Sequence, residues 1–410
     1  TAPLNLTAGN EPGVCGRSRT ATNFGIPTTA DNCGAGGLTV TNNAPAVFPI
    51  GTTTVVWTVR DAANNVATAS HTVTILDTQA PTVTAPANIV TGNDPGICGK
   101  SLTNVVLGSP VLSDNCGTGA LVVTNNAPAN FPIGTTTVVW TVRDAANNTT
   151  TASQTVTIND TQAPTVTAPS TIVASNDPGL CGKNRVNINL GTPTVGDNCG
   201  TGALVITNNA PSVFPIGNTT VTWTVRDAAN NTTTASQTVT INDTQAPTIV
   251  APSNITLANE AGLCGRSKSL VNLGTPSTSD NCAVTVLSNN APNVFPLGTT
   301  IVTWTAMDAK GNLSTATHSV TINDTEPPSI QAPPTVTVNA AAGMCGRSGL
   351  NLGSPTASDA CGPVTLSNNA PAMFPVGTTN VTWTARDNYG NTKTAVQQVI
   401  VKDLTPPSFG

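Results

Sequence analysis

Charge is what this chain is shortest of. Only 9% of its 410 residues are Asp, Glu, Lys or Arg, and the balance is −5. No basic face or Lys/Arg run is present to hold nucleic acid or an anionic membrane surface. Histidine occurs twice, as His71 and His318. Both fall in one slot of a repeat that elsewhere holds Gln154, Gln237 and Gln397. A general base or metal ligand does not exchange with glutamine, so both read as surface polar residues. No Ser-His-Asp or Cys-His arrangement is therefore on offer, and no catalytic residue is assigned. No apolar run approaches bilayer-spanning length, and no signal peptide opens the chain. No helical period is found, so no glycine-rich loop opens a helix for phosphate. Aromatics make up 3%.

Those few aromatics are regularly placed. Phe48, Phe131, Phe214, Phe295 and Phe374 each open a Phe-Pro-x-Gly turn, and Trp57, Trp140, Trp223, Trp304 and Trp383 each follow at one fixed spacing. Asp61, Asp144, Asp227, Asp308 and Asp387 come shortly after each Trp, again at one spacing. One Phe and one Trp per unit read as the core anchors of a tandem array. Five repeats follow, with boundaries 1–77 (first strand incomplete), 78–160, 161–243, 244–324 and 325–403, and 404–410 begins a further repeat. Each is long enough for a small all-β domain with its own core. Thr, Asn and Ser take over the solvating role of charge, and Thr also favours strands.

Residues 78–160 show the pattern most cleanly. Asp77-Thr-Gln-Ala-Pro81 is a short hinge stiffened by proline. Thr82–Thr84 and Ala87–Val90 read as one strand broken at Pro86, Asn93–Gly96 as a turn, Asn104–Leu107 as a β-rich stretch and Asp114–Gly117 as a second turn. Thr135–Arg143 is the strongest strand, with Val138, Trp140 and Val142 on one face. A hairpin turn at Ala145–Asn148 leads to the returning strand Thr149–Ile158. The third turn position is Asn64, Asn147, Asn230, Gly311 or Gly390, the residues that tolerate positive φ. About seven short strands with closely and regularly spaced turn signals indicate a β-sandwich.

Each repeat carries two cysteines: 15/33, 98/116, 181/199, 264/282 and 345/361. The spacing within the pair is identical in the first four repeats and slightly shorter in the last. An even count at a near-constant spacing predicts that Cys15, Cys33, Cys98, Cys116, Cys181, Cys199, Cys264, Cys282, Cys345 and Cys361 form five local disulfides in an oxidising, extracellular setting. Buried free thiols and metal binding are the alternatives, but two Cys with no His nearby make half a zinc site.

Acids recur too. Each repeat has a hinge Asp (Asp77, Asp160, Asp243, Asp324, Asp403), a turn Asp (Asp31, Asp114, Asp197, Asp280, Asp359) and the strand-end Asp. Capping of turns by Asp is one reading. The other is calcium, which takes six to eight oxygens: a hinge Asp beside a turn Asp would form an inter-domain site, with Asp77, Asp160, Asp243 and Asp324 as candidates. Glu11, Asp94, Asp177 and Glu260 give way to Ala341 in the last repeat, so that acid is a poor ligand. Identical acids in five copies read as architecture rather than as a glycosidase pair.

Asp-Asn-Cys-Gly (114–117), Phe-Pro-x-Gly-Thr-Thr (131–136), Val-x-Trp-Thr-x-x-Asp (138–144) and the Gly/Asn-Asn turn resemble the HYR (hyalin) repeat, in all five units. The resemblance implies an immunoglobulin-like β-sandwich and extracellular adhesion, in large secreted or cell-surface proteins such as adhesins or filaments of Bacteroidetes-type bacteria. Family members often carry a further Cys in the last strand, near where Ser70, Ser153 and Ser236 stand here.

The expectation is an elongated rod of disulfide-stapled sandwiches: a non-catalytic stalk or shaft, secreted or on a cell surface. Calcium at the hinges is the one cofactor considered. Partners would be further repeats of the same chain or identical subunits head to tail, without nucleic acid or membrane insertion. The alternative function is a multivalent module binding glycan or protein ligands through weak repeated sites. Thr1 and Gly410 share one phase of the repeat, which predicts either a stretch of a longer array or a subunit whose tail completes the next molecule's first sheet.

Overall fold

The alternation along Gly134–Arg143 becomes a long strand because its two faces meet different media. Val138, Trp140 and Val142 are buried, while Val139 and Thr141 remain half-exposed. The computed structural model describes residues 1–407. Among them no helix is long and apolar enough to cross a membrane.

The chain divides into two compact units. One comprises Thr1–Pro169, Gly191–Asn209 and Thr222–Gln237; the other comprises Ser170–Leu190, Ala210–Val221 and the chain from Thr238 on. The second repeat lies wholly in the first unit and shows the plan, an all-β sandwich of eight strands, six of them short. Its larger sheet runs Val122–Asn125, Gly134–Arg143, Thr149–Asn159, Ile89–Gly92. The two long strands form the hairpin, in register from Gly134 opposite Ile158 to Arg143 opposite Thr149. Ile89–Gly92 joins in parallel along Val156–Asn159. Facing this sheet are two short antiparallel pairs, Thr82–Thr84 with Val111–Ser113 and Gly99–Ser101 with Asn130–Pro132.

Phe131, Val138, Trp140, Val156 and Ile158 form the core between the layers. In the second unit, Phe295, Val302, Trp304, Val320 and Ile322 repeat it, as do Phe374, Val381, Trp383, Val399 and Val401. All ten Phe and Trp anchors are buried. The hairpin position expected at positive φ has φ of 72°, 74° and 74° at Asn64, Asn147 and Asn230, and 89° and 97° at Gly311 and Gly390. Gly99 has a different reason to be glycine: a Cβ there would lie 2.5 Å from the Phe131 carbonyl oxygen.

Two expectations are corrected. Asn104–Leu107 is not a strand: Leu102–Asn104 is a single 3-10 turn, and Val105 then drops into the core. His71 and His318 are not surface residues, being 4% and 3% exposed. Their slot lies beside the buried Trp, whose indole N–H needs an acceptor. Trp57 donates to His71 Nδ1 (3.1 Å), Trp140 to Gln154 Oε1 (3.1 Å) and Trp383 to Gln397 Oε1 (3.0 Å). Gln154 also donates to the Ala87 and Leu107 carbonyls, tying the layers together. Glutamine and His71 both accept from indole at this slot, whereas His318 turns its Nδ1 to the Ser253 carbonyl.

The start of the expected further repeat, 404–410, shows no strand over Leu404–Pro407, and its last three positions lie outside the described residues.

Candidate functional site at the junctions between repeats

Each junction lies within one unit, and each is built the same way from the hinge outward. In the first, the hinge residues are held one by one. Thr78 donates through N and Oγ1 to Asn10 Oδ1 (both 3.1 Å), and Gln79 Oε1 accepts from Gly13 N (2.9 Å). These bonds tie the hinge to the repeat behind it. The Asp77 carbonyl instead accepts from Asn148 Nδ2 of the repeat ahead, at 3.2 Å. Asn231, Asn312 and Asn391 make the same bond at 3.2 Å to the carbonyls of Asp160, Asp243 and Asp324. Four hinges are thus gripped from both sides.

The strand-end aspartates aim those asparagines. Asp144 Oδ1 accepts from Ala146 N and Asn148 N, closing the hairpin turn, while Oδ2 holds Asn148 Nδ2 at 2.8 Å. Burial alone would raise the Asp308 and Asp387 carboxyls. Hydrogen bonds led by Asn312 and Asn391 outweigh it and hold both below the ordinary range. These residues cap turns, and through their asparagines they position the hinge.

The cysteines do not pair as their spacing predicts. Cys15 is bonded to Cys116, Cys98 to Cys199 and Cys181 to Cys282, each pair 101 residues apart. The local pairs 15/33, 98/116, 181/199, 264/282 and 345/361 are absent among the described residues. The topology gives the reason. Ile89–Gly92 runs parallel to the end of the last strand, so Asn93–Cys98 sits at the pole where the chain leaves the repeat. Ser113 pairs with Thr82, so Asp114–Cys116 sits at the pole where the chain enters. The two cysteines of one repeat face opposite ways, each toward a neighbour. Asn115, Asn198 and Asn281 fix the approach, donating to the Val14, Ile97 and Leu180 carbonyls at 3.2 Å.

Cys33, Cys264, Cys345 and Cys361, expected in disulfides, are thiols. Cys33 and Cys345 are exposed and occupy junction positions with no counterpart among the five repeats. Cys264 and Cys361 do meet, at the fourth junction, where Cys264 Sγ donates to the Ala360 carbonyl at 2.6 Å. That turn carries Ala360 where the other junctions carry the bridging Asn. Burial pushes the Cys361 thiol up to about 12, with the Cys264 contact and the negative charge of Asp324 adding to it.

The hinge and turn aspartates come together at the four junctions. Carboxylate oxygens of Asp77 and Asp114, of Asp160 and Asp197, of Asp243, Asp280 and Asp308, and of Asp324 and Asp359 lie within 4.8 Å of one another. The acid that Ala341 replaces does other work: Asp94 accepts from Ser101 N and Asn104 Nδ2 and pairs with Lys100 at 3.1 Å. The junction-bridging Asn148, Asn115 and Gln79 were missed by sequence reasoning, although Asn follows the hairpin in all five repeats.

The HYR domain family matches residues 12–75, 76–158, 159–241, 242–322 and 323–401. The chain is 35% identical over 404 residues to hyalin of Lytechinus variegatus, covering 93% of this chain and 74% of that one. It is 37% identical over 410 residues to hyalin of Strongylocentrotus purpuratus, covering 93% and 33%. These relatives are animal proteins, and the Bacteroidetes-type bacterial setting finds no support in them. Among solved structures, the protocadherin GammaB4 extracellular domain aligns over 98% of this chain and 84% of its own, at 13% identity and TM-score 0.34. The strand pairings, not that likeness, carry the fold.

Proposed function

The chain belongs to the HYR domain family over all five repeats, and we propose that it works as an extracellular load-bearing array, the stalk or shaft of an adhesive fibre. The interleaved junction disulfides carry this reading. Along the backbone, the path from Cys15 to Cys282 runs through more than three whole repeats. Through sulfur, the route crosses from Cys15 to Cys116, returns along the chain to Cys98, crosses to Cys199, returns to Cys181 and crosses to Cys282. Only the two short segments 98–116 and 181–199 lie on that second route. At about 3.5 Å per extended residue, a pull can draw out about 130 Å of that span rather than about 930 Å. Load bypasses the long hairpins of the first three repeats.

Sugar-stacking platforms are scarce: the ten Phe and Trp anchors are buried, and among the described residues Tyr389 is the exposed aromatic. Both histidines are packed into the core. That favours a spacer over a ligand-binding or catalytic module. Its partners in this reading are further HYR repeats, in the same chain or in identical chains joined head to tail. Exposed Cys33 and Cys345 present outward the two halves of the junction chemistry.

Stretching single molecules by their ends tests the proposal. The oxidised chain should yield only short extensions between Cys15 and Cys282, and full repeat-length unfolding steps should emerge after reduction. The fifth repeat, which no disulfide spans, gives a repeat-length step in either state; repeat-length steps from the span between Cys15 and Cys282 in the oxidised chain would overturn the proposal.

A further inference from the structure

We propose that Cys264 and Cys361 form a reversible disulfide at the fourth junction, opened and closed by thiol–disulfide exchange under conditions that leave the other three bridges intact. The backbones that carry these two residues are already set as at the bonded junctions. Glu260 N donates to the Gly265 carbonyl (2.8 Å) and Leu263 N to the Glu260 carbonyl (2.9 Å), just as Asp94 N donates to Gly99 (2.8 Å) and Ile97 N to Asp94 (3.1 Å) ahead of Cys98. Across the junction Cys361 N donates to Asp359 Oδ1 at 2.7 Å. Cys116 N, Cys199 N and Cys282 N make the same bond to Asp114, Asp197 and Asp280. Both thiols therefore stand where the other junctions hold bonded sulfur.

What differs is the residue before the second cysteine. Asn115, Asn198 and Asn281 clamp their junctions through Nδ2, which reaches the opposite carbonyl at 3.2 Å and their own cysteine's Sγ at 3.3, 3.4 and 3.2 Å. Ala360 has no group for either contact. The thiols fill the gap. Cys361 Sγ donates at 3.7 Å to the Leu263 carbonyl, the counterpart of the Val14, Ile97 and Leu180 carbonyls that the asparagines hold, and Cys264 Sγ donates to the Ala360 carbonyl. These two bonds exist only while the sulfurs carry protons, so oxidation forfeits them. An asparagine clamp, by contrast, keeps its carbonyl and holds the sulfurs together in either state. Stabilising the dithiol and loosening the clamp both make the fourth bridge the easier one to open.

Closure needs an oxidant, and a small-molecule disulfide supplies it. Cys264 is the exposed member of the pair and Cys361 the half-buried one. The Cys264 thiolate attacks the small disulfide, a mixed disulfide forms and one small thiol leaves. Cys361, deprotonated in turn, attacks the Cys264 sulfur and expels the second. Two protein thiols are oxidised, one small disulfide is reduced to two thiols, and the two protons end on those thiols. Opening is the reverse. Closure also shortens the load path: between Cys282 and Cys361 the sulfur route returns only to Cys264, so a pull draws out about 60 Å rather than about 280 Å of extended chain. The hairpin of Gly298–Asp308 with Leu313–Asn323 is then bypassed as well. That consequence rests on the load-bearing reading; the exchange itself does not.

Titration of the whole five-repeat chain with mixtures of reduced and oxidised glutathione, quenched by alkylation and read cysteine by cysteine in a peptide map, tests this. Excess oxidised glutathione should link Cys264 to Cys361. As reduced glutathione rises, this pair should open first, with an exchange equilibrium at least about tenfold further toward thiols than those of 15–116, 98–199 and 181–282, the scale set by hydrogen bonds of this kind. Ala360→Asn restores the clamp and should bring the fourth pair level with the others. Asn198→Ala should make the Cys98–Cys199 bridge as easy to open as the fourth. No link between Cys264 and Cys361 in excess oxidised glutathione, a fourth pair that opens together with the other three, or one that Ala360→Asn leaves unmoved, overturns the proposal. The load-bearing reading is judged by force measurements on the span from Cys15 to Cys282, so either can fail without the other.

Discussion

Cys98 is bonded to Cys199 in the following repeat, although Cys116 of its own repeat is far nearer along the chain and is bonded to Cys15 instead. Each sandwich is fastened to its neighbours rather than to itself. On the chain-entropy model a bridge closing 101 residues contributes about 4.7 kcal/mol, against about 3 kcal/mol for a short local loop. Cutting the backbone at the hinge 160–164 should therefore not separate the pieces. After limited proteolysis there, the chain should run as one band without reductant and split with it. A peptide map should recover 15–116, 98–199 and 181–282 as the linked pairs. Recovery of 98–116 would contradict the topology.

The fourth repeat carries a fault that a single substitution should mend. The Trp304 indole N–H is buried without an acceptor, because His318 Nδ1 turns to the Ser253 carbonyl (3.2 Å). Glutamine at this slot accepts from Trp140 and Trp383 in their repeats. His318→Gln should stabilise the fourth repeat by about 1–3 kcal/mol, the cost of an unmet buried donor. Chemical denaturation of the variant against the parent chain measures it, and a loss of stability would count against the assignment.

The first repeat should respond to mild acid through His71. Burial lowers the pKa of this imidazole, which sits against Trp57 and Phe24. The folded state thus binds the proton less readily than the unfolded chain, so its stability is full above about pH 6.5 and falls as pH drops below that value. His71→Gln should abolish the dependence. The fluorescence of Trp57, followed in a chain with the other four tryptophans replaced by Phe, reports it. A melting temperature of the first repeat that is flat from pH 7.5 to 5 would refute it.

A second acid transition, at lower pH, belongs to Asp177. A backbone hydrogen bond from Asn184, then the side chains of Lys183 and Asn187, hold its pKa at about 2, against 3.8 ordinarily. A depressed carboxylate stabilises fully above its unfolded pKa, and that stability is lost as pH falls from about 4 through about 2. Amide exchange around Asn184 should accelerate in that window. The matching segment of the fifth repeat, with Ala341 in place of the acid, should show no such step.

Repetition decided much of this protein before any folding was considered. Five copies of one Phe, one Trp and one alternating strand fixed the all-β sandwich and its buried anchors. The Asn/Gly choice at Asn147 and Gly311 announced positive φ, because backbone sterics act within a few residues and leave their mark in each copy. Which cysteine faces which was another matter. Cys98 and Cys116 are close in number, yet the parallel pairing of Ile89–Gly92 and the pairing of Ser113 with Thr82 send them to opposite poles. The same distant pairings buried the His/Gln slot against Trp and drew Asp77 toward Asp114 across the hinge. Partners of this kind are chosen by three-dimensional packing between segments far apart in the chain, and no spacing along the sequence encodes that choice.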